Sequence, residues 1–223
     1  SAPIDLLGKK KSPCLIYNHG GNRSYGALKN VETTYYAYQF HTICVASNYR
    51  GCGKSEGTDA FGGDDVHDVI HLLDLCEKLD SVDTKNINML GVSRGGMMTY
   101  ETLREDRRIH KAVVVAGVAD CTMNYEERED MRSLLTELIG GTPEQLPEEY
   151  SRRSAVEWAD EINTPLLVFH TTGDDKVSIK QVDKLVKQLK KYQKDYEYVT
   201  FESNIHGDLR KTDVEKIRKW LQT

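Results

Sequence analysis

Six short runs of apolar, β-rich residues punctuate the chain at Cys14–Tyr17, Thr42–Ala46, Ile87–Leu90, Ala112–Val115, Leu166–Phe169 and Tyr196–Phe201. Most are apolar at consecutive rather than alternate positions, the pattern of a strand covered on both faces. Between them the apolar positions recur at helical spacing. Val66, Val69, Ile70, Leu73, Cys76 and Leu79 form one stripe, Ile179, Val182, Leu185, Val186 and Leu189 a second, and Val214, Ile217 and Leu221 mark a last helix. A further helix is expected within Tyr25–Phe40, although Thr33-Thr34-Tyr35-Tyr36 favours extended backbone. Strands alternating with helices imply right-handed crossovers and an α/β fold with a mainly parallel sheet of about six strands flanked by helices.

One stretch breaks this rhythm. Gly117–Asn163 is longer than a plain crossover and carries Gly140-Gly141-Thr142-Pro143 and Pro147. It reads as a small helical insertion (117–163) within a single domain spanning 1–223, either covering the sheet or forming a partial lid. Met123, Tyr125, Met131 and Trp158 are its candidate pocket or lid residues, burial against the sheet being the simpler account.

Composition narrows the class. The 223 residues suffice for one sizeable core, with 39% hydrophobic and 29% charged residues and a net charge of -5. No basic block interleaved with aromatics suggests a nucleic-acid groove. No apolar run approaches the ~20 residues of a membrane-spanning helix. The five cysteines (Cys14, Cys44, Cys52, Cys76 and Cys121) are odd in number and lack metal-ligand spacing. Cys14, Cys44 and Cys76 lie in apolar runs, where a reduced thiol is an ordinary core residue, so the expectation leans to the cytoplasm. A removed leader is the alternative, since the chain starts at Ser1. Nothing in the sequence sets the oligomeric state.

The chemistry lies in three words whose order is that of an α/β-hydrolase: Gly91-Val92-Ser93-Arg94-Gly95, then Gly173-Asp174, then His206-Gly207. The first lies between an apolar strand and a helix, where small flanking residues let a strained turn expose the Ser93 hydroxyl. Asp174 follows a strand and a turn of small residues, and its carboxylate can orient an imidazole; Asp175 competes for this role, and either could instead cap the helix starting near Ser178. His206 lies on the loop after the last strand, the place from which a general base reaches the nucleophile. His67 and His71 are four apart on a helix but lack a third metal ligand, and His170 reads as structural. His19-Gly20-Gly21-Asn22 follows the first strand and can supply backbone N–H groups of Gly21 or Gly20 to an oxyanion, with the Arg94 amide as partner; the bland reading is a glycine turn. His19, Asn22, Arg94, Met123 and Tyr125 are the candidate substrate contacts. For the Arg94 guanidinium two readings compete: a substrate carboxylate, or an acidic neighbour such as Asp120 or Asp64.

Taken together, Tyr17–Asn22, Asn48-Tyr49-Arg50-Gly51, Phe61–Val66, Gly91–Gly96, Arg153–Val156 and Thr164–Leu167 resemble the prolyl oligopeptidase family of serine hydrolases. The resemblance implies the α/β-hydrolase fold, Ser93 as nucleophile, Asp174 as orienter and His206 as base. It also implies that Asn48–Gly51 and Gly63–Asp65 support the site. The chain departs from the family at Arg94, where many members carry an aromatic residue, and at His19, where some carry a tyrosine. It shows neither the β-propeller of the large peptidases nor the acidic pair of the dipeptidyl peptidases. Ser1–Lys11 is too short and polar for the two strands that usually precede the glycine loop, so a reduced sheet or a trimmed chain is expected. The expected activity is acyl transfer on an ester or short peptide with no metal or cofactor. A small-molecule carboxylesterase is the alternative, and a non-catalytic binding protein on the same scaffold is the alternative of another class.

Overall fold

The computed structural model describes residues 1–6, 8 and 11–223. Six parallel strands form one sheet: β1 (Ser12–Asn18), β2 (Ile43–Val45), β3 (Val82–Val92), β4 (Ala112–Val115), β5 (Leu166–Thr171) and β6 (Tyr196–Phe201), in the order β2-β1-β3-β4-β5-β6. Every expected strand is present. Of the opening stretch Ser1–Lys11, residues 7, 9 and 10 lie outside those described. Ser1 pairs by backbone with Cys44, donating to its carbonyl at 2.9 Å and accepting its N–H at 2.8 Å.

Successive strand residues face opposite sides of the sheet, and each side has its own helices. Cys14, Ile16, Ile87, Met89, Val114, Leu166 and Val168 pack with α2 (Val66–Glu77), α3 (Arg94–Glu105) and α7 (Ile179–Lys191). Leu15, Tyr17, Leu90, Val113, Val115, Leu167 and Phe169 pack with α1 (Asn30–Phe40) and α8 (Lys211–Gln222). Both sets are buried, which is why these strands are apolar at consecutive positions. Edge strand β6 is covered only in part and reads accordingly as a mixed sequence.

α1 begins five residues later than the start of the expected window. Asn22 and Tyr25 form an antiparallel bridge, and Gly26 at φ 75° turns the chain before the helix starts. The β-preferring Thr33-Thr34-Tyr35-Tyr36 is nonetheless helical. Ala37 and Phe40 are buried, and Tyr36 stacks on Phe40 and packs on Tyr17 of β1 at centroid distances of 5.9 and 4.6 Å. Packing of this face outweighs a local preference of a few tenths of a kcal/mol per residue.

Residues 117–163 form three helices, α4 (Cys121–Glu127), α5 (Glu129–Ile139) and α6 (Pro147–Arg152), with a 3₁₀ turn at Ala159–Glu161. Gly140 ends α5 at φ 100° and Pro147 opens α6, as their backbone freedoms favour. Cys121, Leu135, Ile139 and Tyr150 share a separate small core with Phe61, Met97, Val118 and Val177.

The strand order reverses between β1 and β3. β1 leads outward to β2, whereas β3 leads the other way to β4, and the helices that follow them lie on opposite faces of the sheet. The carboxyl ends of β1 and β3 therefore diverge into a crevice, where open α/β sheets bind ligands.

Candidate active site

Ser93 follows β3 and caps α3 with φ 58° and ψ -122°, a conformation that costs a non-glycine residue roughly 1–3 kcal/mol. Neighbouring backbone imposes it. The Ser93 N–H donates to Val115 O, and the Ser93 carbonyl accepts from Gly96 N–H and Val118 N–H. The turn also presses α3 onto the end of β1: a Cβ on Gly95 would lie 1.9 Å from Asn18 O, so only glycine fits there. Gly20, on the loop after β1, stands so close to the nucleophile position that its own Cβ would meet Ser93 Cβ at 3.0 Å. Gly20, Gly21, Ser93 and His206 all line one cavity of about 690 Å³. The N–H of Gly21 finds no backbone acceptor among the described residues, and Arg94, as the first residue of α3, has an N–H without an intrahelical partner.

Asp174 and His206 come from the loops after β5 and β6. His206 Nδ1 donates to the Asp174 carboxylate at 2.8 and 3.0 Å. That bond fixes the tautomer, leaving Nε2 as the basic nitrogen. Asp174 Oδ1 also accepts from the backbone N–H groups of Lys176 and Val177 at 2.9 and 3.0 Å. Burial alone would raise this carboxyl, but the His206 and backbone hydrogen bonds outweigh it and hold the pKa below the usual value. Asp175 is exposed and, among the described residues, pairs with Lys176 at 3.1 Å. The choice between the two acids thus falls on Asp174, and Ser178 caps α7. His170 is buried, which lowers its pKa, and Nε2 donates to Val177 O at 2.8 Å and stands 3.6 Å from Asp174 Oδ2. Ser93 and His206 face the same cavity, but no hydrogen bond joins them among the described residues.

Arg94 takes the acidic-neighbour reading, but with Asp59 and Asp65 rather than the acids named as examples. Its guanidinium is 1% exposed and bonded to Asp59 at 2.7 and 3.0 Å and Asp65 at 2.7 Å, with the Tyr49 and Phe61 rings at 5.0 and 4.9 Å. Neither a substrate carboxylate, nor Asp120, nor Asp64 is its partner: Asp120 pairs with Lys184 and Asp64 with Arg152. The acids that reach Arg94 come from the loop before α2, and no spacing in the sequence connects them to it. This buried cluster also steadies the glycine loop. Arg94 Nη1 donates to Gly21 O at 3.4 Å, Asp59 accepts the Arg23 N–H at 3.0 Å, and Tyr49 Oη donates to His19 O at 3.0 Å. The Asn48–Gly51 and Gly63–Asp65 segments thus stand beneath the site, as the resemblance implied.

Of the other expected contacts, Asn22 and His19 line the cavity. His19 is buried, stacks on Tyr49 at 4.4 Å, and donates from Nδ1 to Gly20 O at 2.7 Å. Met123 and Tyr125 do not line it. Tyr125 turns to Tyr150, 5.7 Å away edge-on. The insertion contributes Met131, as expected, together with Val118, Asn124, Arg128 and Asp130. Asn124 stands on α4 and Arg128 just past its end; Met123 and Tyr125 each lie ~100° around the helix from Asn124. Trp158 is buried beneath Arg104, away from the cavity.

Known proteins share this sequence pattern and fold. Residues 30–223 match the model of the prolyl oligopeptidase family. The chain belongs to that family. It is 31% identical over 211 residues to the uncharacterized peptidase YtmA of Bacillus subtilis (strain 168), covering 93% of this chain and 82% of that protein. With the uncharacterized peptidase YuxL of the same organism it is 27% identical over 214 residues, covering 92% of this chain but 32% of that protein. Among solved structures, the acylaminoacyl peptidase of Pyrococcus horikoshii superposes with a TM-score of 0.78 at 22% identity, covering 96% of this chain and 36% of that one. The chain thus has the fold of the prolyl oligopeptidase family's hydrolase domain, spans about a third of some larger relatives, and is a serine hydrolase of the peptidase class.

Proposed function

We propose that this protein cleaves amide bonds of short peptides or aminoacyl amides through a Ser93–His206–Asp174 triad and an acyl-enzyme. The observation that carries this reading is the His206–Asp174 pair, bonded at 2.8 and 3.0 Å and facing the cavity that Ser93 enters at positive φ. Ser93 attacks the substrate carbonyl while His206 Nε2 takes its proton. The resulting imidazolium is stabilised by the Asp174 carboxylate, and the oxyanion by the N–H groups of Arg94 and Gly21. His206 then protonates the leaving amine, and a water activated by His206 releases the acyl group. In this proposal a Ser93–His206 hydrogen bond forms when substrate fills the cavity, as is common when an apo site engages its ligand. A cavity of about 690 Å³ suits a substrate of a few residues.

The relatives named as peptidases favour the amide reading over the ester one. The insertion, which lines the cavity through Asn124, Arg128, Asp130 and Met131, acts as a partial lid in this proposal. A fluorophosphonate should label wild type and not Ser93→Ala. Turnover of aminoacyl and prolyl p-nitroanilides is then compared with that of p-nitrophenyl acyl esters. Activity confined to esters supports the carboxylesterase, and absence of labelling on folded protein supports a binding role.

A further inference from the structure

Five of the residues lining the cavity carry carboxylate, ammonium or guanidinium groups: Glu32, Arg94, Arg128, Asp130 and Lys176. Four are matched by opposite charge. Arg94 is held by Asp59 and Asp65 at 2.7 Å, Arg128 by Asp130 at 2.6 Å, and Lys176 by Asp175 at 3.1 Å. Glu32 alone has no cationic partner among the described residues. It stands in the first turn of α1, half-buried, where Oε2 accepts the Lys29 N–H at 2.9 Å. That single bond uses one oxygen and leaves the charge unmatched. The helix terminus alone accounts for an acceptor here, not for a net negative charge facing the cavity, because a neutral glutamine closes the same capping bond.

We infer that Glu32 forms a cation subsite and selects substrates bearing an ammonium or guanidinium group. This rests on the hydrolase reading above and names the substrate class of that same cavity. A cation entering the cavity meets neutralised pairs everywhere but at Glu32, so Glu32 decides where the positive end of the substrate lies. Partial burial of the carboxylate strengthens the attraction relative to a solvent-exposed pair. The cation has two chemical sources, the free α-amino group of a peptide and a basic side chain.

The test compares wild type with Glu32→Gln, which keeps the capping bond and removes the charge. Three anilides are used: alanyl-p-nitroanilide with its amine free, its N-acetyl counterpart, and N-acetyl-arginyl-p-nitroanilide. The expected result is a fall of about tenfold or more in the kcat/KM preference for cationic over neutral substrate, carried by KM, as befits loss of a charged hydrogen-bond acceptor. A fall confined to alanyl anilide assigns the α-amino group, and one confined to the arginyl substrate assigns the side chain. Equal preference ratios in wild type and variant, with both folded, overturn the subsite while fluorophosphonate labelling of the wild type still upholds the hydrolase. Failure of the folded wild type to label overturns both.

Discussion

Replacing Arg94 with methionine tests the idea that a buried charge cluster, not a substrate contact, fills the position beside the nucleophile. Methionine preserves much of the apolar stem but none of the fork that bonds Asp59 and Asp65. Both carboxylates are nearly inaccessible, with side chains 3% and 0% exposed, so solvent cannot replace the lost cation. Breaking a buried pair on one side costs about 3–5 kcal/mol. That is a large part of the ~5–15 kcal/mol typical of a domain's stability. The sign of the pH dependence follows from linkage. Without Arg94, burial raises the folded-state pKa of both acids above the unfolded value, so the folded variant binds more protons and loses stability as pH rises. Urea unfolding at pH 7 and pH 5 should therefore show a deficit in Arg94→Met that shrinks at the lower pH. The triple variant Asp59→Asn, Asp65→Asn, Arg94→Met should recover much of the loss. A deficit under ~1 kcal/mol at pH 7, or one indifferent to pH, would refute the reasoning. Arg94→Met should also lower kcat with little change in KM, because the guanidinium steadies the Gly21 carbonyl rather than touching substrate.

Other outcomes follow from the same structure. Asp174→Asn should lower kcat roughly 10⁴-fold by removing the acceptor that orients His206, while Asp175→Asn should stay within a fewfold of wild type in the same anilide assay. Ser93→Gly should unfold later in urea than Ser93→Ala, by about 1 kcal/mol, because only glycine relaxes at φ 58°. Glu101 is buried, its pKa pushed up to about 8 chiefly by burial, with Oε2 unpartnered while Oε1 accepts the Gly63 N–H. Its folded pKa exceeds the unfolded value, so it contributes a loss of stability as pH rises from about 5 to 8. Glu101→Gln should flatten that slope and stabilise the protein at pH 8; an unchanged slope across urea titrations would refute the assignment.

The strands were legible because burial on both sheet faces writes itself as consecutive apolar residues, as in Leu166–Phe169. The placing of Ser93, Asp174 and His206 on loops at the carboxyl end of the sheet was legible because each follows a strand and neighbours short, turn-forming residues. What the sequence concealed was contact across distant loops. Asp59 reaches Arg94 over 35 positions without any periodic signal. Met123 and Tyr125 were attractive by residue type, yet the phase of α4 turns Asn124 to the cavity, and Arg128 reaches it from just past the helix end. Conversely, the β-prone Thr33–Tyr36 became helical because Tyr17 and Phe40 offered aromatic surface to Tyr36.

The division of labour between sheet and insertion has a consequence for how the molecule can be altered. The groups assigned to bond cleavage hang from the ends of β3, β5 and β6, whereas Val118, Asn124, Arg128, Asp130 and Met131 stand on the segment between β4 and β5. Val118 belongs to both parts, since its N–H also holds the Ser93 carbonyl, whereas the other four make no backbone bond to Ser93 among the described residues. Substitutions at Asn124, Arg128, Asp130 and Met131 should therefore combine with substitutions at the strand ends almost independently wherever the side chains do not touch.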